Sequence, residues 1–158
     1  MTDGILIREV DFNDPNDAAA YLQMLDVYAR DPMGAGAPLA DDVYRRLTND
    51  LASDPAAHGL LAEHAGALVG FATCFTGYST FRGQPLLNVH DIAVAPEARG
   101  RGIGTALLEE ITALGRRLGC CKITLEVRED NLPARRRYAQ GGFQPAACNL
   151  FLEKPLQP

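Results

Sequence analysis

Residues Asp91 to Leu108 read DIAVAPEARGRGIGTALL, and the rest of the chain can be arranged around this stretch. An apolar run with strand character ends before Pro96. An arginine- and glycine-rich turn follows over Arg99-Gly100-Arg101-Gly102-Ile103-Gly104, and Thr105 leads into an amphipathic helix. Glycines let backbone N–H groups approach a ligand with no Cβ in the way. The first helical turn adds unpaired N–H groups and the positive end of the helix dipole, a combination that suits a phosphate. The segment therefore reads as a pyrophosphate cradle, with a bare glycine hinge as the alternative.

Spacing narrows the kind of cradle. A P-loop needs Lys and then Ser or Thr after its last glycine, whereas Thr105 follows Gly104 directly. The dinucleotide fingerprint Gly-x-Gly-x-x-Gly fails as well, because counting from Gly100 the sixth position is Thr105. Arg99, Gly102 and Gly104 fit the pattern Gln/Arg-x-x-Gly-x-Gly/Ala. That pattern resembles the coenzyme A pyrophosphate loop of the GNAT acyltransferase superfamily. Further on, Asn131-Leu132-Pro133-Ala134, Tyr138 and Gly142-Phe143 resemble the same family's Asn-x-x-Ala-x-x-x-Tyr-x-x-x-Gly-Phe motif. Two motifs in the right order make chance agreement improbable.

The flanking sequence is compatible with that resemblance. The chain has 158 residues and is 47% hydrophobic, enough for one domain over 1–158 with a single core. A net charge of −5 argues against nucleic acid as the main partner and mildly favours cationic small molecules. No apolar run spans a bilayer, and the start MTDGILIREV is acidic and too short of apolar length for a secretory signal. A soluble cytoplasmic protein without a membrane partner is the expectation. Cys74, Cys120, Cys121 and Cys148 form no Cys-x-x-Cys pair, so reduced structural thiols and no metal are expected.

Periodicity supplies the element order. ILIREV suggests a first strand; Asp14-Pro15 starts a helix, and Asp31 to Pro38 breaks it. A second helix runs from about Asp41. Gly59 to Glu63 and Leu68 to Phe75 read as a hairpin about Ala65-Gly66, a loop covers Gly77 to Pro85, and a strand covers Leu86 to Val94. The helix after the glycines ends at Gly119 behind Arg116 and Arg117. Lys122 to Val127 is a further strand, a short helix runs from Asn131 to Gly141-Gly142, and Phe143 onward and Leu150 to Lys154 read as two closing strands. The expected fold class is a mixed α/β sheet with one right-handed crossover. The order is similar to that of GNAT proteins, which implies an acyl-CoA N-acyltransferase fold with a splayed central sheet.

The resemblance also implies roles. The backbone of Ile92, Ala93 and Val94 would pair with the pantetheine amides. Arg99 and Arg101 would bring positive charge, Gly100 would shape the turn, and N–H groups from Arg101 through Gly102, Ile103 and Gly104 to Thr105 would hold the pyrophosphate. Asn131 would contact the pantetheine arm, cap its own helix, or do both. Tyr138 matches the tyrosine that commonly protonates the departing thiolate. A phenol of pKa about 10 keeps its proton at neutral pH and can pass it to a thiolate of pKa about 8.5; packing on a short helix is its alternative role.

The base has two candidates, His90 and Asp91. A regular strand puts Asn88, His90, Ile92 and Val94 on one face and Val89, Asp91 and Ala93 on the other. A β-bulge would let both His90 and Asp91 face a cleft. In the similar arylalkylamine acetyltransferases, histidines at positions matching Asn88 and His90 help remove the amine proton. Asp91 is the reserve base, and Glu126 could bind a cationic amine or relay a proton. Tyr78 and Phe81 would cover an apolar acceptor or pack at a homodimer contact. The reading is an acetyl-CoA-dependent N-acetyltransferase acting directly on a primary amine, of a small molecule first and of a protein or peptide second. A non-catalytic acyl-CoA-binding regulatory domain is the alternative from another class.

Overall fold

The computed structural model describes residues 4–148 and 150–156. Contacts divide the chain into a unit ending at Leu125 and a unit beginning at Glu126, each taken by itself. The first unit is a five-stranded sheet in the order β1 (Ile5–Glu9), β2 (Ala57–His64), β3 (Ala67–Ser79), β4 (Gln84–Val94) and β5 (Ile123–Leu125). Every pair is antiparallel except β4 and β5, which are parallel and joined through α3 (Ile103–Arg117).

Local chemistry sets the helix ends. Asp14 caps α1 (Pro15–Arg30) by accepting from the N–H groups of Asn16 and Asp17, and Pro15 occupies a first-turn position whose N–H has no helical partner. α2 (Asp41–Ser53) follows the break. α3 closes with Gly119 at φ +69°, Gly119 N–H donating to Arg116 O and Cys120 N–H to Gly115 O. These two bonds make a Schellman cap, which needs the left-handed residue that glycine supplies.

Helices cover both sheet faces. On one, Tyr21 and Tyr28 of α1 set their rings 5.7 and 6.1 Å from Phe71. On the other, α3 comes so close to β3 that a Cβ on Gly70 would lie 3.3 Å from Ile103 Cγ2 and from Leu107 Cδ1. Successive strand residues point to opposite faces, so Gly70 and Phe71 mark the two contacts. Tyr21, Phe71, Leu60, Leu61, Leu87, Ile103, Leu107 and Ile111 are fully buried between these layers.

Three expectations change. The loop expected over Gly77 to Pro85 is mostly strand: Gly77 pairs with Leu86, Tyr78 with Pro85 and Ser79 with Gln84, leaving a tight turn at 80–83. β5 is shorter than Lys122 to Val127. The two closing strands do not form among the described residues, since 143–148 and 150–156 hold no strand; Asn149 lies outside the described residues. Pro145 lacks the N–H a ladder requires, and Leu150, Phe151 and Leu152 are exposed. An alternating pattern makes a strand only where a neighbour supplies the other half of the ladder.

The second unit contains α4 (Leu132–Gln140). The Asn131 side chain accepts from Ala134 N–H at 3.3 Å, the N-cap role expected of it. At the other end Gly142 takes φ +87°, its N–H donating to Ala139 O and the N–H of Phe143 to Tyr138 O. The rings of Tyr138 and Phe143 lie 5.8 Å apart. Tyr138, Gly142 and Phe143 are thus the third-last helical residue, the left-handed residue and the following residue of one Schellman cap with its usual apolar contact. The spacing of the second motif has this local structural cause.

Candidate active site

β4 carries the site. Thr73 pairs with Asp91 and Cys74 with Val89, so His90 has no counterpart on β3 and is the extra residue of a β-bulge. The irregularity that would turn both His90 and Asp91 toward one region is present. His90 is exposed and stands edge-on to Phe75, with ring centroids 5.7 Å apart. Asp91 is half-buried.

Asp91 sits in a polar pocket built from distant parts of the sequence. Tyr21 Oη and Thr73 Oγ1 are 2.6 Å apart, and Thr73 is the ladder partner of Asp91. Burial pushes the Asp91 carboxyl above the usual carboxylate range, against the opposing pull of His90 and of the neighbouring Thr73 hydroxyl. The same burial raises the Tyr21 phenol, keeping it neutral, and raises Tyr28, where the Asp91 charge adds to the effect. A desolvated carboxylate beside a histidine is a suitable proton acceptor, because a raised pKa makes it a stronger base than an ordinary carboxylate.

Beyond the bulge the sheet opens. β5 pairs with Leu87, Asn88 and Val89 only, while β3 follows β4 to Val94. The β5-facing edge of Ile92, Ala93 and Val94 is therefore outside the β4–β5 ladder, as the expected splay requires. A turn of 3₁₀ helix (Pro96–Ala98) then leads to Gly100 at φ +79° and Gly102 at φ +83°, a region that side chains rarely adopt. Gly102 is the N-cap of α3 and no side chain caps that helix. The N–H groups of Ile103, Gly104 and Thr105 thus begin a helix with no side-chain acceptor in front of them. Ile103 and Gly104 are buried, with Arg101 and Thr105 exposed beside them. An open strand edge for amides and an uncapped, glycine-lined helix start for a pyrophosphate fit coenzyme A.

The remaining expected residues fall in different places. Asn88 Nδ2 donates to Thr124 Oγ1 at 3.1 Å, tying β4 to β5. Tyr78 is exposed near the end of β3 and Phe81 is fully exposed in the turn. Glu126 and Tyr138 belong to the second unit, where Glu126 is exposed and Tyr138 half-buried. Arg99 donates from Nη2 to Asp31 Oδ2 at 2.6 Å and from Nε to Val94 O at 3.2 Å. Of the cysteines, burial pushes the Cys74 thiol up to about 12 and also raises Cys120, which leaves both poor nucleophiles. Among the described residues no group of His, Cys, Asp and Glu is placed to hold a metal ion, and no helix is long and apolar enough to cross a membrane.

Sequence reasoning missed Tyr21, Thr73 and Asp31 as site residues. Thr73 was legible as the one hydroxyl within the apolar run LVGFATCF. The partners of Tyr21 and Asp31 left no local signal.

Comparison with known proteins agrees with this geometry. The acetyltransferase (GNAT) family matches residues 21–143, and the chain belongs to that family. It is 29% identical to an aminoglycoside N(6')-acetyltransferase type 1 of Stenotrophomonas maltophilia over 91% of each chain. It is 28% identical to a glucosamine 6-phosphate N-acetyltransferase of Trypanosoma brucei brucei, over 97% of this chain and 99% of that one. A solved aminoglycoside acetyltransferase from an uncultured soil metagenomic sample, in complex with sisomicin, superposes with TM-score 0.81 over 98% of both chains at 14% identity, a likeness of fold. The protein is a GNAT acetyltransferase, and its fold implies acetyl-CoA as cosubstrate.

Proposed function

We propose that this enzyme transfers acetyl from acetyl-CoA directly to the primary amine of a small cationic molecule, with Asp91 as the proton acceptor. The observation that carries the reading is the bulge. It sets a desolvated carboxylate of raised pKa at the point where the β4 edge opens toward the uncapped start of α3. Relatives that match almost end to end act, by their names, on aminoglycosides and glucosamine 6-phosphate, which are small amines. The helical region from Glu9 to Asp54 is strongly acidic, with Arg30, Arg45 and Arg46 its only basic residues. That charge favours a cationic acceptor.

Bound along Ile92, Ala93 and Val94 and at the start of α3, acetyl-CoA supplies a thioester electrophile and a thiolate leaving group. The amine must first lose a proton, because a lysine-like ammonium has a pKa of about 10.4. Asp91 accepts that proton at its carboxylate, and His90, exposed beside it, passes protons to solvent. The C–N bond forms as the C–S bond breaks, and the second proton on nitrogen leaves by the same carboxylate once the first has gone to solvent. The family resemblance gives Tyr138 the role of protonating the departing sulfur, after which the phenol takes a proton from solvent. No cysteine is acylated.

Thiol release from acetyl-CoA across a panel of amines tests this. The panel contains an aminoglycoside, glucosamine 6-phosphate, a lysine analogue and a peptide with an N-terminal alanine. Fastest release with one of the three small amines is expected. Fastest release with the peptide would favour a protein acceptor. Tight CoA binding without release on any amine would favour a regulatory acyl-CoA-binding domain.

A further inference from the structure

We propose that Arg99, which the glycine-loop pattern assigns to the cofactor, is a positioning residue for the loop between α1 and α2, part of the acidic region that favours a cationic acceptor. The observation is a double tether. From the first residue after the 3₁₀ turn, the Arg99 guanidinium reaches back to Val94 O at 3.2 Å and across to Asp31 Oδ2 at 2.6 Å. Asp31 lies 68 residues earlier and is the C-cap of α1.

Asp31 organises the segment that follows it. Its other carboxylate oxygen, Oδ1, accepts from Met33 N–H at 2.9 Å, and its carbonyl accepts from Gly34 N–H at 2.8 Å. Ala35 and Ala37 N–H both donate to Ala29 O at 3.1 Å. At the far end, Asp26 Oδ1 accepts from Leu39 N–H at 2.9 Å while Arg30 Nε holds Oδ2 at 2.7 Å. A segment rich in glycine and proline, MGAGAPLA, is thus pinned at both ends by carboxylates of α1. Among the described residues, the Asp31 end is the one tied to β4 and the glycine turn.

Two features favour a latch over a phosphate ligand. Arg99 is already paired with a carboxylate whose pKa is held low by Met33 N–H and by Arg99 itself. Its fork is also committed along two directions, to Val94 O and to Asp31, which a point charge such as lysine cannot reproduce. The anion site then consists of backbone N–H groups of the glycine turn with Arg101 as the exposed cation. Arg99 couples the end of β4 to the loop between α1 and α2.

The acceptor part of this inference rests on the proposed small-amine activity; the loop and CoA parts do not. Arg99→Gln, Arg99→Lys, Asp31→Asn and the double variant Asp31→Asn/Arg99→Gln are compared with the parent by amide exchange, CoA titration calorimetry and kinetics with the best amine of the panel. Exchange at Met33, Gly34, Ala35 and Ala37 should quicken at least fivefold in every variant. The double variant should exchange no faster than the quicker single variant. CoA affinity should stay within about twofold of the parent, and acceptor KM should rise severalfold with acetyl-CoA KM unchanged. Arg99→Lys should recover little of the loss, since it keeps the charge without the fork. Tenfold weaker CoA binding in Arg99→Gln with Asp31→Asn unaffected would make Arg99 a phosphate ligand and overturn the proposal. Unchanged exchange in all variants would overturn it too. If no amine of the panel is acetylated, the small-amine reading fails, and exchange and calorimetry still decide on the latch.

Discussion

Replacing Asp91 by Asn separates the stability and the chemistry of the site. The two side chains have nearly the same shape, so the place beside Thr73 stays filled. What disappears is a negative charge held where burial disfavours it. Because the folded-state pKa lies above the unfolded value, the stability tied to protonated Asp91 is complete below the ordinary carboxylate range. It is lost as pH rises through the raised pKa. A folded-state pKa raised by one pH unit weakens the folded enzyme by about 1.4 kcal/mol once the pH is above it. The variant should therefore gain stability relative to the parent between about pH 3 and about pH 8, by about 1.4 kcal/mol for each pH unit separating the folded and unfolded pKa values. Taking the difference between the two pH values removes any pH-independent effect of the new amide group. In activity, loss of a general base should lower kcat/KM by about 10²–10⁴-fold and remove the limb of the pH profile that rises as Asp91 ionises. Urea melts at both pH values and thiol release over the pH range are the assays. A relative stability that does not change with pH would refute the buried-charge argument. A kcat/KM within threefold of the parent would refute the role as base.

Other substitutions check the remaining parts of the structure. Tyr138→Phe should lower kcat by about 10²-fold or more where chemistry limits turnover, with CoA affinity unchanged by calorimetry; unaltered kcat would remove its acid role. Tyr21→Phe should leave the buried Thr73 hydroxyl without its partner and cost about 1–3 kcal/mol in a urea melt. Gly102→Ala forces a Cβ into the left-handed region, so it should lose about 1–2 kcal/mol of stability and weaken CoA binding in the same titration. Two glycines at the contact between α3 and the sheet should respond with opposite signs in melts. At Gly70 a Cβ would lie 3.0 Å from Ala93 O, so Gly70→Ala should destabilise by about 1–3 kcal/mol. At Gly115 it would meet Ile123 and Leu87 at 3.5 Å or more, so Gly115→Ala should stabilise by up to about 1 kcal/mol.

Much of the cofactor side was legible in the chain because its interactions are local. The N-caps at Asp14 and Asn131, the left-handed glycines at 102, 119 and 142, and the uncapped start of α3 join residues only a few positions apart. Hydrogen-bonding geometry and the φ preference of glycine suffice to read them. The bulge at His90 was a conditional reading. Alternation said only that His90 and Asp91 could not share a face without it, and the register of β3 supplied it. The closing strands show the opposite case, where a plausible pattern over Leu150 to Lys154 found no ladder among the described residues.

The sequence by itself thus determined the family, the strand, glycine turn and helix that receive the donor, and the residue types available for proton transfer. Only the tertiary structure decided which of them act together. Tyr21 meets Thr73 across 52 positions and Arg99 meets Asp31 across 68, and no periodicity records such pairings. Packing decided them: α1 lies across Phe71 and Thr73, so Tyr21 meets the ladder partner of Asp91. Its C-cap aspartate in turn comes within reach of the arginine that opens the cofactor loop.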